Sequence, residues 1–133
     1  MRLDGSSKTK IFDRKKCQDL VFDGKQLYFT ASEGLLKTNL FCIQEGNSYA
    51  KMIAENITEF VVTDTGIFAT SVINDEKCAF FIAHNNPQKR ELLLKAEEIR
   101  AINVDGGYLY YGCSLLTGIN KRLNLHNGEI EQI

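Results

Sequence analysis

The fold is decided by the stretch DLVFDGKQLYFT at residues 19–30, which returns as EFVVTDTGIFAT at residues 59–70 and as AINVDGGYLYYG at residues 101–112. Each copy has a short apolar run, a turn rich in Asp, Gly or Thr, and a second run with an aromatic residue at its centre. Aspartate can hydrogen-bond its own backbone and glycine tolerates positive φ, whereas aromatic and β-branched residues suit pleated strands. Each copy therefore predicts two strands joined by a tight turn.

Two further elements follow this hairpin in every copy. The third element covers residues 35–40, 77–83 and 119–125, and the fourth covers residues 49–53, 89–94 and 129–133. The copies start 40 and 42 residues apart, and four strands at a period of about forty residues are the signature of a β-propeller blade. We therefore predict an all-β half propeller with three four-stranded antiparallel blades, at residues 19–57, 58–98 and 99–133, within a single domain.

Two segments need a separate interpretation. Residues 1–18 are assigned to an outer strand and a linker, because Leu3–Phe12 has the pattern of a strand end, a turn and a fourth strand, with Lys8–Phe12 as an extra N-terminal outer strand. Gln88–Arg100 is rich in helix formers and in isolation resembles an amphipathic helix. The other two copies place a short strand where Leu92–Leu94 falls, so we predict a strand there as well.

Two short segments carry a resemblance to known propeller repeats. Leu27-Tyr28-Phe29-Thr30 and the turn Leu3-Asp4-Gly5-Ser6 are similar to YWTD-type repeats of lipoprotein receptors, and more closely to bacterial propeller repeats of a domain-of-unknown-function family. The similarity extends over nearly the whole chain and implies a propeller fold. The tryptophan of the YWTD pattern is absent, and its aspartate falls at Ala31, Ser71 and Cys113. The resemblance therefore implies no particular ligand.

The composition excludes several classes of partner. Sixteen basic and seventeen acidic side chains give a net charge of −1, and the basic run Asp13–Lys16 is explained by a solvated turn, so no nucleic-acid surface is expected. No apolar run has the length of a transmembrane helix, and Met1–Gly5 does not resemble the start of a signal peptide. As written, the chain is predicted to be cytoplasmic, without a membrane span; its location stays open if it is a fragment of a longer exported protein.

The sequence predicts no metal or cofactor site. The cysteines Cys17, Cys42, Cys78 and Cys113 are 25, 36 and 35 residues apart, which fits no metal-binding motif and indicates free, semi-buried thiols. His84 and His126 occupy equivalent turns 42 residues apart, and we interpret them as exposed turn residues because equivalent positions in neighbouring blades are separated by a whole blade.

The acidic turn residues admit two interpretations. Asp23, Asp64 and Asp105 form a ring of carboxylates around a central channel in one interpretation, and simple turn formers in the other, which turn chemistry alone explains. No nucleophile elbow, P-loop or metalloprotease motif occurs. We therefore predict a non-catalytic binding or scaffolding module of β-propeller type with an unknown ligand. The alternative is a remote hydrolase or lyase with its site at the central channel.

Four tyrosines could contribute to a binding surface, although the sequence assigns no binding site. Tyr28, Tyr108, Tyr110 and Tyr111 would suit a sugar or a peptide, although aromatic residues at these strand positions are more often packed between blades. A protein or a glycan is the expected class of ligand.

Three blades are too few to close a propeller, which typically has four to eight. We expect the outer faces of the first and last blades, at residues such as Val21, Phe29, Val104 and Tyr111, to be open to water. Because exposed apolar surface costs about 25 cal/mol per Å², the leading prediction is a two-fold homodimer that forms a pseudo-six-bladed ring. The alternative is that the chain is a fragment of a longer propeller.

Overall fold

A computed structural model of the chain describes residues 17–33, 37–47, 49–114 and 116–133. The described residues form β-strands joined by turns and contain no helix, so the predicted all-β class is confirmed. The chain divides into two compact units, Met1–Glu55 and Asn56–Ile133. The predicted extra strand Lys8–Phe12 lies outside the described residues.

The first unit contains the first sheet. Its strands are β1 (Cys17–Phe22), β2 (Gln26–Glu33), β3 (Lys37–Gln44) and β4 (Lys51–Ala54), in the spatial order β1-β2-β3-β4. All neighbouring strands are antiparallel. The core of this unit contains Phe29, Ala31, Phe41 and Ile43, and the rings of the paired residues Phe29 and Phe41 are stacked with their centroids 5.7 Å apart.

The second unit contains two sheets of the same topology. The second sheet consists of β5 (Ile57–Val62), β6 (Gly66–Ile73), β7 (Glu76–Ala83) and β8 (Glu91–Ala96), and the third of β9 (Arg100–Asp105), β10 (Tyr108–Gly112), β11 (Asn120–Asn124) and β12 (Ile130–Gln132). The three four-stranded antiparallel sheets confirm the predicted blades. The strand β8 also confirms that Leu92–Leu94 is extended and not helical.

Different residue types form the turn of the first hairpin in each of the three sheets. Asp23 Oδ1 accepts the backbone N–H groups of Lys25 and Gln26 at 2.9 and 2.8 Å, as an aspartate turn does. In the second sheet the Thr63 hydroxyl donates to the Gly66 carbonyl at 2.9 Å. In the third sheet a two-residue turn is made by consecutive glycines 106 and 107 at φ 54° and 83°, where a side chain would be strained.

A β-bulge interrupts the pairing of the first two strands in every sheet. Asp19 in β1 and Ala101 in β9 have φ values of 52° and 47° in these irregular segments. The left-handed conformation costs an L-residue about 1–2 kcal/mol, so hydrogen bonds must hold it. The Thr30 hydroxyl donates to Asp19 Oδ2 at 3.1 Å, and the Ala101 N–H donates to Glu59 Oε1 at 3.0 Å.

The second and third sheets pack face to face within the second unit. Side chains from both sheets share one buried cluster: Ala79, Leu94, Ile99, Leu109, Tyr111 and Leu123. Alternation along β10 places Leu109 and Tyr111 on this inner face, and Tyr108 and Tyr110 on the opposite face. The second sheet packs against the third through the face that bears Ala79. The strand register places Thr70 and Leu94 on the same face.

The predicted exposed faces are wrong for three of the four residues named for them. Tyr111 is 4% exposed and lies in the buried cluster between the second and third sheets, and Val104 packs against that cluster. Phe29 is 3% exposed, in the core of the first unit. Val21 is exposed as expected. The error arises because the sequence pattern did not establish which alternate residues of each strand face inward.

Candidate functional site

The outer face of the third sheet is the best candidate for a binding surface. We define this outer face by the residues opposite to the buried cluster: Asn103, Asp105, Tyr108, Tyr110, Gly112, Asn120, Arg122 and Glu131. Within the described part of the second unit, no further sheet packs on it. The corresponding face of the second sheet, in contrast, is covered by the third sheet.

The two faces can be compared position by position through their strand registers. Val61, Phe68, Phe81 and Glu91 form a row across the second sheet. The equivalent row of the third sheet is Asn103, Tyr110, Arg122 and Glu131. In the next row, Asn120 stands where the second sheet has Ala79. The apolar residues of the covered face are thus replaced by amide, phenol and guanidinium groups on the outer face.

A ladder of aromatic and charged side chains crosses the outer face. The Arg122 guanidinium lies over the Tyr108 ring, 4.3 Å from its centroid, and the rings of Tyr108 and Tyr110 are 6.2 Å apart. Arg122 Nε and Nη2 both donate to Glu131 Oε2, at 2.8 and 2.6 Å. Hydrogen bonds to Glu131 and to Tyr110 raise the pKa of Arg122 above its ordinary value. The ladder is therefore an internally neutralised and positioned group of side chains.

A shallow pocket of about 260 Å³ lies beside this ladder. Its lining residues are Ala101, Tyr110, Tyr111, Gly112, Asn120 and Ile133. Gly112 leaves the space open, since a Cβ there would lie 3.4 Å from the Asn120 Oδ1 atom and 3.7 Å from the Arg100 carbonyl oxygen. In the second sheet, the equivalent position beside Thr70 and Ala79 is covered by the third sheet.

A group of charged residues fixes the third sheet to the second. Glu98 Oε1 accepts a hydrogen bond from Arg100 Nε at 2.6 Å and forms an ion pair with Lys77. The hydrogen bonds from Arg100 and from Lys77 lower the pKa of Glu98 to about 2. This group, together with the bond from the Ala101 N–H to Glu59, orients β9 relative to the second sheet.

The two histidines lie in exposed turns. His84 Nε2 donates to the Thr63 carbonyl oxygen at 2.8 Å, and the backbone N–H of His126 donates to Asn124 Oδ1 at 2.9 Å. Asp23, Asp64 and Asp105 are likewise exposed, and Asp23 forms its turn. Among the described residues, no group of three or more His, Cys, Asp or Glu side chains is placed to hold a metal ion.

The cysteines are free, as the sequence predicts. Cys42 and Cys78 are buried, Cys113 is half-buried and Cys17 is exposed. The Cys42 thiol donates to Gln26 Oε1 at 2.7 Å, and burial, with the nearby Asp23 carboxylate, raises its pKa to about 11. Thiolate is the nucleophilic form of cysteine, so Cys42 is an inert core residue at neutral pH.

The four candidate tyrosines separate into two pairs. Tyr28 and Tyr111 are buried at 1% and 4% exposure, and Tyr111 packs between the second and third sheets, as the packing interpretation expects. Burial raises the pKa of Tyr28 to about 12. Tyr108 and Tyr110 are half-buried on the outer face, where a ligand can reach them. The sequence pattern did not single out Arg122, Asn103 and Asn120. The strand registers show that they replace the apolar residues Phe81, Val61 and Ala79 of the second sheet.

Comparisons with known structures show the fold. No family model matches the sequence, and no curated protein matches it. The β-propeller domain of the Trilobed protease from Pyrococcus furiosus superposes with a TM-score of 0.68 over 88% of this chain, at 13% identity. A nidogen-type propeller from a nidogen/laminin complex gives 0.71 over 99%, at 15% identity. An uncharacterised protein from Listeria monocytogenes gives 0.68 over 90%, at 11% identity.

These similarities confirm the predicted propeller fold and show no function. The chain covers 41%, 53% and 40% of the three structures, so it spans about half or less of their length. The nidogen-type structure agrees with the YWTD resemblance at the level of fold, whereas no family model supports the bacterial repeat family. No helix in the described part of the chain is long and apolar enough to cross a membrane.

Proposed function

We propose that this chain is a non-catalytic binding module of β-propeller type, and that its ligand binds to the outer face of the third sheet. The observation that supports this proposal is the composition of that face. Tyrosine and arginine are enriched at the centres of binding interfaces, where lysine and glutamate are depleted. Tyr108, Tyr110 and Arg122 form the centre of the outer face, and its one glutamate is neutralised by Arg122.

The competing enzymatic function is a hydrolase or lyase at the central channel. General acid–base catalysis requires a pair of titratable groups within hydrogen-bond reach of one substrate. His84 contacts a backbone carbonyl, Asp23 forms its own turn, and burial keeps the Cys42 thiol protonated. We therefore propose that the chain is not an enzyme and that it works without a cofactor. A cytoplasmic location stays a prediction.

A generic panel of ester, glycoside and peptide substrates tests this choice. The expected result is no turnover by the purified chain, together with saturable binding of a ligand that is lost in Arg122→Ala. Asn127→Ala, in the exposed β11–β12 turn of the same unit, is the matched control. Turnover that disappears on substitution of His84 or Asp105 would favour the enzyme instead.

A second proposal concerns the missing half of the ring. Leu20, Val21 and Phe22 of β1 are 69%, 36% and 66% exposed, and apolar side chains on an edge strand favour pairing with another chain. A second copy in a pseudo-six-bladed homodimer, or the remainder of a longer propeller, would cover them. The polar outer face of the third sheet favours the opposite, an end that is open to water.

Sedimentation equilibrium separates these assemblies. The open binding module is expected at the chain mass of 15.0 kDa, and the homodimer at twice that mass. If a dimer forms, Phe22→Ser is expected to dissociate it, whereas Lys25→Ser in the adjacent exposed turn is the control. A stable monomer at micromolar concentration with cooperative unfolding would contradict the homodimer.

A further inference from the structure

We propose that the outer face of the third sheet binds a neutral, hydroxyl-rich ligand of the carbohydrate class, with one sugar ring seated in the pocket beside Gly112. This inference rests on the proposed function, because it assigns a chemical class of ligand to the same face. Three properties of the face support it: the polarity of its side chains, the size of the pocket and the balance of its charge.

The polarity of the face favours a ligand that brings hydrogen bonds. Asn103 and Asn120 replace Val61 and Ala79 of the covered face. Asn103 Oδ1 already accepts the Val104 N–H at 2.9 Å. A sheet that packed over the Asn103 NH₂ group and the Asn120 amide without pairing them would bury polar groups at a cost of about 1–3 kcal/mol each. Sugar hydroxyls both donate and accept hydrogen bonds, so they can satisfy a carboxamide from either side. The exposed Asn120 side chain makes no hydrogen bond within the described residues.

The small size of the pocket suits a single ring. Its volume of about 260 Å³ lies just below the range of about 300–1,000 Å³ that is typical of drug-sized ligand pockets. Tyr110 supplies an aromatic wall, and the other lining residues include the polar Asn120 and the small Gly112 and Ala101. The apolar C–H face of a pyranose can lie against the aromatic wall while its hydroxyl groups point to Asn120 and to water.

The balance of charge favours a neutral ligand over an anionic one. Arg122 is the cation of the ladder, and both of its bonding nitrogens already donate to Glu131 Oε2. Asp105 adds a negative charge at the edge of the same face. A phosphate or carboxylate would therefore displace an existing ion pair and face a second carboxylate. A neutral sugar leaves the pair intact.

The test titrates the full chain, labelled with ¹⁵N, with cellohexaose, xylohexaose, maltohexaose and chitohexaose separately. The expected result is saturable movement of the amide signals of Tyr110, Gly112 and Asn120 with at least one of the four sugars. Tyr110→Ala is expected to weaken binding about tenfold, the equivalent of one lost aromatic contact. Tyr49→Ala, a tyrosine 66% exposed in the first unit, is the control and is expected to leave binding unchanged.

Two further variants keep the test independent of folding. Asn120→Ala removes an exposed amide that the core does not use, and Tyr110→Phe keeps the aromatic wall while it removes the hydroxyl group. Both are expected to unfold at the wild-type temperature; Asn120→Ala should bind more weakly, and Tyr110→Phe should retain most of the affinity. Signal changes that map elsewhere on the chain would overturn the proposal.

Two different results distinguish a wrong class of ligand from an outer face that is not a binding surface. If no sugar moves the signals while the outer face is accessible to a soluble spin label, the carbohydrate class is wrong but the open face stands. If the chain is a dimer whose outer face is protected from the spin label, both proposals are wrong, because a second copy occupies the surface.

Discussion

Glu59 is predicted to stabilise the packing of the third sheet on the second through one buried polar contact. Its Oε1 atom accepts the backbone N–H of Ala101 at 3.0 Å, at a residue whose φ of 47° requires support. The other carboxylate oxygen is buried without a hydrogen-bond partner in the described part of the chain. Two effects therefore compete, the gain from the charge-assisted bond and the cost of the desolvated oxygen.

The expected free energies favour the hydrogen bond between Glu59 and Ala101 over the desolvation cost. A hydrogen bond to a charged group contributes about 1.5–3 kcal/mol, and loss of the acceptor also leaves the Ala101 N–H unpaired. The hydrogen bond to Glu98 is the main cause that raises the pKa of Arg100, and the charge of Glu59 contributes in the same direction, so the Glu59 carboxylate is partly compensated by Arg100. Glu59→Ala is therefore expected to lower the free energy of unfolding by about 2 kcal/mol. Glu59→Gln keeps an acceptor without the charge and is expected to cost about half as much.

Thermal and urea unfolding measure the effect. In a chain of this size, 2 kcal/mol corresponds to a decrease in Tm of roughly 8 °C. Glu97→Ala, an exposed glutamate of the same unit, is the control and is expected to change stability by less than about 0.5 kcal/mol. Hydrogen exchange at the Ala101 amide should accelerate in Glu59→Ala alone. A Glu59→Ala variant as stable as wild type, or a Glu59→Gln variant less stable than Glu59→Ala, would refute a stabilising role for Glu59.

Three further predictions follow from single contacts. Ala101→Gly relieves a left-handed conformation worth about 1–2 kcal/mol at a smaller entropic cost, so calorimetry should show a slightly higher Tm. An aromatic disulfide reagent at pH 8 should modify Cys17 quickly and Cys42 after unfolding, and Cys17→Ser should abolish the fast phase. The pKa of Glu98 is depressed to about 2, so its stabilising effect is complete above its ordinary pKa near 4.5 and is lost as the pH falls toward 2. The Tm values of wild type and Glu98→Gln should therefore converge as the pH is lowered.

The strands and turns were predictable because their signals are local. Aspartate, threonine and glycine at residues 23, 63 and 106–107 indicate turns through their own backbone preferences, and the turns separate the strands. The helix-like composition of Gln88–Arg100 did not prevent strand formation, because pairing with β7 outweighs intrinsic propensity. Local chemistry and repetition together were sufficient for the fold class.

The sequence of β10 did not predict which face of the third sheet packs against the second sheet. Tyr108, Tyr110 and Tyr111 place aromatic residues on both faces of β10, so alternation gives no polarity signal there. The partner strand would have resolved the ambiguity, but its register changes between copies. Tyr110 lies 42 residues after Phe68, whereas Arg122 lies 41 residues after Phe81. A constant offset of 42 residues therefore aligns Arg122 with Phe80, which lies on the opposite face of its sheet from Phe81, so the replacement of phenylalanine by arginine is assigned to the wrong face.

The alternation of β10 assigns stability and binding to different residues of one strand. Leu109 and Tyr111 hold the third sheet on the second, and any change in their volume alters the buried cluster. Tyr108 and Tyr110 stand on the opposite face, where they contact Arg122 and the pocket but not that cluster. A strand with this arrangement can vary its outward residues at little cost to folding. The third sheet can therefore support a binding face that differs from the apolar face of the second sheet, although both sheets have the same topology.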